Sequence, residues 1–528
     1  SEMAKKTVMC LLTDAEGTPL GSAMYIPHNP LSIFHRSLSS NIEQEASEME
    51  MNTVMCLLTD AEGTPLGSAM YIPHNAGHLQ LTNLVNTFLN NEEKLSYSFY
   101  VSDEELLVSV GTYMERNSVS VENVLKIVYR QQAVFRIRPV YRCSQTISDV
   151  HEGEILCVSF SPDGKQLASG SGDTTVRLWD LNTETPMFTC KGHKEHVLAV
   201  AWSPDAKCLV SGDRDGKVCC WDPSKGELQG NALSGHKKWI CGIAWEPAHL
   251  SYPSRRFVTC GKDGDARIWD FTLKRTLIVL SGHTRAVTCV KWGGDGTIYT
   301  GSQDSTIRMW EITQQGQGIL KHILKDHAGW VNSLSLSTEY VLRTGAFDRT
   351  RQVTCSDEEM KKIALERYIK AKGKIDSLER LVSGSDDFTI ILWEPSVSLQ
   401  PKQKMVTTAR LTGHQQLVNH VYFSPNGQWI ASASFDKSVK LWDGVTGKFI
   451  TAFRGHANCV YQISWSPDSR MLLSCSKDST LKVWEIGTKK LKHDLPGHED
   501  EVWAVDWSPD GEKVASGGLG KALKLWKG

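Results

Sequence analysis

Histidine, serine and aspartate recur in this chain at fixed distances from a tryptophan, and such side chains could perform acid–base catalysis or bind a metal ion. Within residues 413–443, His414 is followed by Ser432, Asp436 and Trp442. The histidines that open the eight units of this kind are His151, His193, His236, His283, His327, His414, His456 and His498. The tryptophans that close them are Trp179, Trp221, Trp269, Trp310, Trp393, Trp442, Trp484 and Trp526. Because residues set by a repeat period belong to the architecture, we interpret them as structural rather than catalytic or metal-binding.

The residues between these positions predict the fold. Apolar and polar residues alternate and are interrupted by Gly, Pro and Asn turns, which predicts short antiparallel strands. The repeat period of about 40–45 residues resembles that of the WD-repeat family, whose fold is a β-propeller. Eight histidines and eight tryptophans predict eight blades. The last unit ends two residues after Trp526. We therefore expect the segment before His151 to supply the outermost strand of the eighth blade and to close the ring.

The spacing of the polar residues is explained by hydrogen bonding inside a blade. A buried imidazole, carboxylate, hydroxyl or indole N–H left unpaired costs roughly 1–3 kcal/mol. The WD-repeat resemblance implies one network of His414, Ser432, Asp436 and Trp442, in which the aspartate accepts from the histidine. The aspartates expected six residues before the tryptophans are Asp173, Asp215, Asp263, Asp304, Asp387, Asp436 and Asp478. The eighth unit has Gly520 instead, so its blade should be the least rigidly held.

One interval between histidines is about twice as long as the others. It runs from His327 to His414, and its excess is residues 349–380. Ser356 and Glu359 form a capping-box pattern, and apolar residues then follow at helical spacing. These are Met360, Ile363, Ala364 and Tyr368. The pattern predicts a charged helix in a loop of the propeller, either as a solvated decoration or as a binding element.

Composition limits the classes of protein that this chain can belong to. The 528 residues carry a net charge of −2, which does not favour nucleic-acid or membrane binding over the chain as a whole. The 14 cysteines include no Cys-x-x-Cys pair and fall largely on apolar strand positions, as expected for buried reduced thiols. The amino terminus lacks the apolar core of a signal peptide. We expect a cytosolic or nuclear protein.

The sequence before the propeller predicts two further regions. Residues 7–29 recur letter for letter at 53–75, and we interpret residues 1–52 as a duplicated, irregular extension that is disordered or loosely docked. Residues 53–141 have the order strand, strand, helix, strand, strand, which resembles a ubiquitin-like β-grasp domain. Residues 142–528 then form the propeller.

Longer motifs point to one family within the WD-repeat proteins. They include ASGSGDTTVRLWD, CKGHKEHVLAVAWSPD, GWVNSLSLSTEYVLRTGAFD and DLPGHEDEVWAVDWSPDG. Residues 53–528, with the helical insertion, resemble the Notchless family. The resemblance implies a non-catalytic assembly factor for the large ribosomal subunit in the nucleus, both nucleolus and nucleoplasm. It also implies that the ubiquitin-like domain docks on midasin, an AAA-type ATPase, while the propeller binds the pre-ribosomal particle with its rRNA and assembly factors.

The same resemblance implies a metal-dependent contact with midasin. The metal-ion-dependent adhesion site of midasin holds a Mg²⁺ ion with one open coordination position, and an acid of the partner completes the shell. Matching the family on the strand that leads to the propeller places this acid at Glu122. From the residues alone, Glu122 is one surface acid among Asp103, Glu104, Glu105 and Glu115. No cofactor of the protein's own is expected.

A second predicted contact lies on one rim of the propeller. The residue three positions after each histidine should come just before the innermost strand of its blade. In two blades this residue is a tryptophan, Trp239 or Trp330, and tryptophans beside cations are typical of interfaces. The candidate partner-binding residues are Arg214, Lys237, Trp239, Lys262, Trp330, Phe435 and Lys477. The alternative is that both tryptophans are buried between blades.

Two other classes of function compete with an assembly factor. A substrate adaptor of a ubiquitin ligase would also combine a propeller with a ubiquitin-like fold. An enzyme is disfavoured, because the sequence has no Gly-rich phosphate loop, no Gly-x-Ser-x-Gly motif and no metal-ligating triad.

Overall fold

The computed structural model describes residues 8–10, 24–26, 53–60, 63–90, 97–102, 104–106, 108–117, 124–131, 137–147, 151–313, 315–348, 356–372, 379–395 and 405–528. They fall into two compact units, one formed by residues up to 76 with 100–129 and the other by 77–99 with 130–528. Glu122 and Asp103 lie outside the described residues, as does most of the extension at 1–52. No helix in the described ranges combines the length and the apolar character of a membrane span.

Two hairpins near the amino terminus share one sequence and one register. β1 (Val8–Cys10) pairs with β2 (Met24–Ile26), and β3 (Thr53–Thr59) pairs with β4 (Met70–Pro73). Val8 is opposite Ile26 as Val54 is opposite Ile72, because the two stretches have identical letters. The second hairpin belongs to a larger sheet.

That sheet has five strands in the order β4-β3-β7-β5-β6. The remaining strands are β5 (Tyr97–Val101), β6 (Glu104–Glu105) and β7 (Leu125–Gln131). β3 and β7 run parallel in the middle, which is the order of strands expected for a β-grasp sheet. The helices are α1 (His78–Phe88) and α2 (Val110–Arg116). The sequence predicted the hairpin, α1 and two later strands, but not β6 or α2.

The described residues from Arg142 onwards form eight antiparallel sheets, and in each the first three strands pair in chain order from the inner strand outwards. Blade 1 contains β9 (Ile155–Phe160), β10 (Gln166–Ser171), β11 (Thr175–Asp180) and β12 (Thr185–Lys191). Blade 2 contains β13 (Val197–Trp202), β14 (Leu209–Asp213), β15 (Lys217–Asp222) and a divided outer strand, β16 (Glu227–Leu228) and β17 (Leu233–Ser234). Blade 3 contains β18 (Ile240–Trp245), β19 (Arg256–Gly261), β20 (Asp265–Asp270) and β21 (Arg275–Ser281). Blade 4 contains β22 (Val287–Trp292), β23 (Ile298–Ser302), β24 (Ile307–Ile312) and β25 (Gly318–Leu324).

The second half of the ring repeats this arrangement. Blade 5 contains β26 (Val331–Leu336), β27 (Leu381–Ser385), β28 (Ile390–Pro395) and β29 (Met405–Leu411). Blade 6 contains β30 (Val418–Phe423), β31 (Trp429–Ser434), β32 (Ser438–Asp443) and β33 (Phe449–Arg454). Blade 7 contains β34 (Val460–Trp465), β35 (Met471–Ser476), β36 (Leu481–Glu485) and β37 (Lys490–Leu495). Blade 8 contains β38 (Val502–Trp507), β39 (Lys513–Gly518), β40 (Leu523–Lys527) and, from earlier in the chain, β8 (Arg142–Ile147).

The inner strands form a closed ring. Each inner strand packs beside that of the next blade, and β38 of blade 8 packs beside β9 of blade 1. β8 pairs with β40, with Ile147 opposite Leu523 and Arg142 opposite Lys527. The eighth blade is therefore completed by the segment before His151, as the sequence predicted. Apolar side chains fill the space between neighbouring blades, for example Leu167 of blade 1 against Leu525 of blade 8.

Between β26 and β27, blade 5 contains α3 (Glu339–Thr344) and then the insertion at 349–380, which includes α4 (Asp357–Lys372). At the start of α4, the Ser356 N–H donates to Glu359 Oε2 (3.2 Å) and the Glu359 N–H donates to Ser356 Oγ (3.3 Å). This is the predicted capping box. The predicted apolar face is also found, since Met360, Ala364 and Tyr368 are buried. The sequence analysis did not predict α3.

Candidate interaction surface

Blade 6 shows how the repeated polar residues are used. His414 Nδ1 lies 2.7 Å from Asp436 Oδ2, and His414 Nε2 lies 2.8 Å from Ser432 Oγ, which also accepts from Trp442 Nε1–H (2.9 Å). Burial lowers the pKa of His414 despite the neighbouring carboxylate. Burial alone would raise the pKa of Asp436, but hydrogen bonds from His414 and Ser438 outweigh it and the pKa is lowered. The arrangement therefore assigns a neutral imidazole that donates to an ionised carboxylate, and it leaves no group free for catalysis.

The same geometry recurs around the ring. In seven blades a histidine Nδ1 lies 2.7 to 3.0 Å from an aspartate oxygen. In all eight blades the tryptophan indole donates to the serine or threonine hydroxyl that contacts the histidine. The structure thus places the predicted side chains together in each blade, with two exceptions among the aspartates.

In blade 2, the histidine contacts Asp213 and not Asp215, which is the aspartate six residues before the tryptophan. His193 Nδ1 lies 2.7 Å from Asp213 Oδ2, whereas Asp215 is exposed. Asp213 Oδ1 also accepts the N–H groups of Asp215 (3.0 Å) and Lys217 (2.8 Å). In blade 6 the residue two positions after the aspartate is Ser438, whose hydroxyl donates to that carboxylate. Lys217 has no such hydroxyl, so a carboxylate at the usual position would lack this donor.

Blade 8 has no aspartate in its network. His498 Nε2 lies 2.7 Å from Ser516 Oγ, and no carboxylate among the described residues is bonded to His498. Burial, with a smaller contribution from Lys524, lowers the pKa of His498 to about 3. Gly520 is not in the left-handed region, and a Cβ placed on it would lie 3.6 Å from its nearest neighbour, Asp500 N, an ordinary contact. The backbone therefore accepts an aspartate at this position.

We expect Gly520→Asp to raise the melting temperature and to reduce its dependence on pH. In the wild type, His498 takes up a proton below pH 6.5 only when the chain is unfolded, so stability falls as pH falls from 6.5 towards 3. Between pH 6.5 and 5 this amounts to about 2 kcal/mol. A carboxylate beside His498 raises its folded-state pKa and removes part of that loss. Thermal melts at pH 7 and pH 5 measure both effects.

Gly487→Asp is the matched control, because a side chain there would meet nothing within 4 Å. It adds the same charge at an exposed turn. If both variants change the two melting temperatures equally, the missing aspartate is not the cause of the pH dependence.

The residues of the rim, three positions after each histidine, are held by hydrogen bonds of their backbone carbonyls. In each blade the residue before the inner strand accepts, through its carbonyl, an N–H from the turn between the second and third strands. Trp239 O accepts from Lys262 N–H (2.9 Å), and Trp330 O accepts from Asp386 N–H (2.9 Å). The other donor and acceptor pairs are Gly172 and Glu154, Arg214 and His196, Gln303 and Ala286, Phe435 and Leu417, Lys477 and Cys459, and Leu519 and Glu501. The side chains of these residues are thus not needed for this bond.

The two rim tryptophans differ in what covers them. Trp330 is 42% exposed, so it is not buried between blades. Trp239 is half-buried, with Lys262 Nζ 3.4 Å and Arg214 Cζ 4.7 Å from its ring centroid. Its ring therefore holds two cations in place. Trp330 has the larger accessible apolar surface for a partner.

Charge is unevenly distributed along the rim. Arg214, Lys262 and the exposed Lys237 lie on blades 2 and 3. On blade 8, Glu501 accepts from Lys477 (2.8 Å), Trp503 (3.0 Å) and Tyr461 (2.7 Å). The hydrogen bond from Lys477 is the largest cause that lowers the pKa of Glu501 to about 2. Phe435 packs edge-on against Tyr461 and is half-buried. The rim thus carries cations on blades 2 and 3, the exposed Trp330 on blade 5, and an acid on blade 8 that is paired with Lys477.

The opposite end of the inner strands is contacted by α3, which lies between β26 and β27 of blade 5. Glu339 of α3 pairs with Lys291 of blade 4, and Arg343 pairs with Asp506 of blade 8, with Nη1 to Oδ1 at 2.9 Å. Lys291 and Asp506 are the charged residues at the fifth position of the inner strands, and α3 provides the opposite charge for each. The two charged residues at this end of the inner strands are therefore both paired with α3.

Comparisons with family models and with known proteins point to the same family. The model "WD domain, G-beta repeat" matches residues 141–180, 184–222, 227–270, 274–311, 404–443, 447–485 and 489–527. The model "NLE (NUC135) domain" matches residues 54–114. "Notchless protein homolog" of Arabidopsis thaliana is 74% identical over 449 residues, 85% of this chain and 82% of the relative. This chain belongs to the Notchless family.

Other relatives and a solved structure agree with this assignment. "Protein Notchless" of Drosophila melanogaster is 51% identical over 66% of this chain and 70% of its own length. "Ribosome assembly protein 4" of Saccharomyces cerevisiae is 46% identical, covering 63% of this chain and 64% of its own length. The computationally designed Ika8 protein matches with a TM-score of 0.54 at 24% identity, covering 72% of this chain and 98% of the designed one, which supports the fold alone.

Membership of the Notchless family, one of WD-repeat scaffolds rather than enzymes, fits the geometry of the blades. The repeat model leaves out residues 312–403, which hold most of blade 5, because the insertion separates β26 from β27 there. Among the described residues, no group of three His, Cys, Asp or Glu side chains could hold a metal ion.

Proposed function

We propose that the protein is a non-catalytic assembly factor for the large ribosomal subunit that connects midasin to the pre-ribosomal particle. The observation that carries this proposal is the 46% identity to a yeast protein named "Ribosome assembly protein 4". A relative from Chaetomium thermophilum with the same name, 43% identical, supports it. The role of midasin rests on the resemblance to the Notchless family. In such a role the protein would act in the nucleus, in nucleolus and nucleoplasm.

In this proposal the amino-terminal domain binds the ATPase. Glu122, three residues before the start of β7 at Leu125, supplies a carboxylate oxygen to the Mg²⁺ ion of midasin's adhesion site. Mg²⁺ requires near-octahedral oxygen coordination, so one additional carboxylate makes the contact directional and dependent on the ion. The ATPase then acts on a scaffold that is attached to the particle through its propeller.

In the same proposal the propeller binds the particle through the rim. The cations of blades 2 and 3 suit an acidic stretch of an assembly factor, and Trp330 suits an apolar side chain beside it.

The proposal is tested by affinity capture of the tagged protein from nuclear extract. Large-subunit precursors and midasin should be recovered together, and chelation of Mg²⁺ should release midasin but not the precursors. Recovery of ubiquitin-ligase subunits without precursors would instead identify a substrate adaptor.

We expect the combined substitution Trp330→Ala and Lys237→Ala to release a propeller partner while the fold stays intact. Trp330 is 42% exposed and contributes its carbonyl, not its side chain, to the backbone tie. Capture of precursors should therefore fall sharply with no change in melting temperature. Ile319→Ala is the control, because Ile319 is an apolar residue, 51% exposed, on the outer strand of blade 4. Insoluble protein would mean that Trp330 stabilises the propeller instead.

A further inference from the structure

The chain that enters the propeller is held before it forms β8. Ile137 and Val140 are 8% and 0% exposed and pack with Leu473, Val483 and Val514 of blades 7 and 8. Residues 137–141, here called the anchor segment, therefore contribute side chains to the core between the last two blades.

A hydrogen bond from a backbone N–H to a side-chain carboxylate also holds the anchor segment. The Ile137 N–H donates to Asp468 Oδ2 at 3.0 Å, in the turn of blade 7 that follows the inner strand. The other carboxylate oxygen, Oδ1, serves the turn itself, accepting from the Ser466 hydroxyl (2.6 Å) and the Arg470 N–H (3.1 Å). Asp468 thus completes its own turn and keeps one oxygen for the incoming chain.

The equivalent aspartate of blade 2 works in the same way. Asp205 Oδ1 accepts from Ser203 (2.5 Å) and Lys207 (3.1 Å), and its Oδ2 accepts from the Ser254 N–H of blade 3 (2.8 Å). In both turns, the aspartate accepts a hydrogen bond from a backbone N–H outside its own blade. For Asp468, that N–H belongs to the chain that precedes β8.

The anchor segment also touches the final blade directly. The Tyr141 N–H donates to Lys527 O at 3.2 Å. A Cβ placed on Gly511, at φ +77°, would lie 2.3 Å from Ile137 Cδ1, so Ile137 packs directly against this turn. Blade 8 is also the blade whose histidine lacks a carboxylate. The blade with the least complete internal network thus receives additional contacts from the anchor segment.

We propose that the anchor segment is the lock of the ring, which keeps β8 in blade 8 when the amino-terminal domain is pulled. Arg142, the first residue of β8, pairs with Lys527 at the end of β40. A pull on the chain before β8 would break the β8–β40 pairs one at a time, beginning with Arg142 and Lys527. A strand resists force least when its pairs break one after another. Ile137 and Val140 lie before that end, so the blade 7 and 8 core bears the load first. The source of the load rests on the proposed function, whereas the lock itself is a property of the propeller.

Hydrogen exchange of the whole chain tests the lock without any partner. Ile137→Ala should increase the exchange rates of the β8 amides by roughly 30-fold, as expected when a buried isoleucine is truncated. The β31 amides of blade 6 should exchange as in the wild type. Arg138→Ala is the matched control, since Arg138 is the exposed neighbour in the same segment.

A second variant keeps the test decisive if Ile137→Ala does not fold. Asp468→Asn preserves one oxygen for its own turn but replaces the acceptor of the Ile137 N–H by an amide NH₂. It should also increase β8 exchange selectively. Equal β8 exchange in the wild type, the folded variants and Arg138→Ala would overturn the proposal.

Pulling experiments connect the lock to force. With one handle at the amino terminus and the other inserted in the exposed turn at Gly316 of blade 4, release of β8 should require less force in the variants than in the wild type. Because neither assay contains the ATPase, loss of midasin binding would overturn the proposed function and leave the lock standing. Unchanged release force would overturn the lock alone.

Discussion

Asp213→Ala is expected to lower the free energy of unfolding by about 3 kcal/mol, whereas Asp215→Ala, two residues away, should change it by less than about 0.5 kcal/mol. His193 is fully buried at its side chain and donates to Asp213, which also accepts two backbone N–H groups. Removing that carboxylate leaves three donors without their acceptor inside blade 2. Asp215 is exposed, and only its backbone N–H takes part in the turn.

Urea denaturation followed by tryptophan fluorescence measures both variants. Asp436→Ala extends the test to a blade in which the aspartate has the usual position, and we expect a similar loss of a few kcal/mol there. Asp215→Ala serves as the control for the removal of a negative charge from the same turn. A neutral result for Asp213→Ala, or a large one for Asp215→Ala, would contradict the network described for blade 2.

The sequence predicted those features of the fold that repeat or that depend on neighbouring residues. The spacing of histidine, hydroxyl and tryptophan predicted eight blades, because each network lies within one blade. The capping box of Ser356 and Glu359 was predictable for the same reason, since both residues lie in one turn of chain. In blade 2 the spacing of the residues does not identify the aspartate that is used. Two aspartates stand in SGDRDG, and only the folded turn decides which one reaches His193.

Contacts between distant blades could not be predicted from spacing. Arg343 pairs with Asp506, 163 residues later, because the ring brings blade 8 within reach of α3 in blade 5. The anchor at Asp468 has the same origin, with 331 residues between donor and acceptor. Neither pair has a periodic signal, and each depends on closure of the whole ring.

For the rim, the sequence predicted where the two tryptophans lie but not which side chains surround each of them. Trp239 and Trp330 occupy the same place in their repeats, so the sequence does not distinguish them. Their neighbours separate them, because Arg214 and Lys262 lie against Trp239 while Trp330 remains 42% exposed. A prediction from repeat position alone therefore finds the surface but not the residue that a partner would contact.

Glu122→Ala is expected to abolish midasin binding, and Glu122→Asp to weaken it less completely. If Glu122 completes a Mg²⁺ shell, the alanine variant removes a ligand, and the aspartate variant keeps the charge but is shorter by one methylene. Coordination bonds to Mg²⁺ are held near roughly 2.0–2.1 Å, so a carboxylate that is drawn back cannot keep the same geometry. Chelation of Mg²⁺ should abolish binding of the wild type in the same way. Circular dichroism and thermal melts should show an unchanged fold.

The matched control for this experiment is Glu115→Ala. Glu115 is an exposed acid in α2, seven residues earlier, and its loss should leave binding intact. The Glu122→Ala protein should still join large-subunit precursors through its propeller, because the rim residues are unchanged. It could not be acted on by the ATPase, so its overexpression should block assembly dominantly. If Glu122→Ala binds midasin as well as the wild type does in Mg²⁺, the assignment of this acid is wrong. Of the two next candidates, Asp103 and Glu115, the control variant already tests Glu115, and Asp103 becomes the acid to substitute.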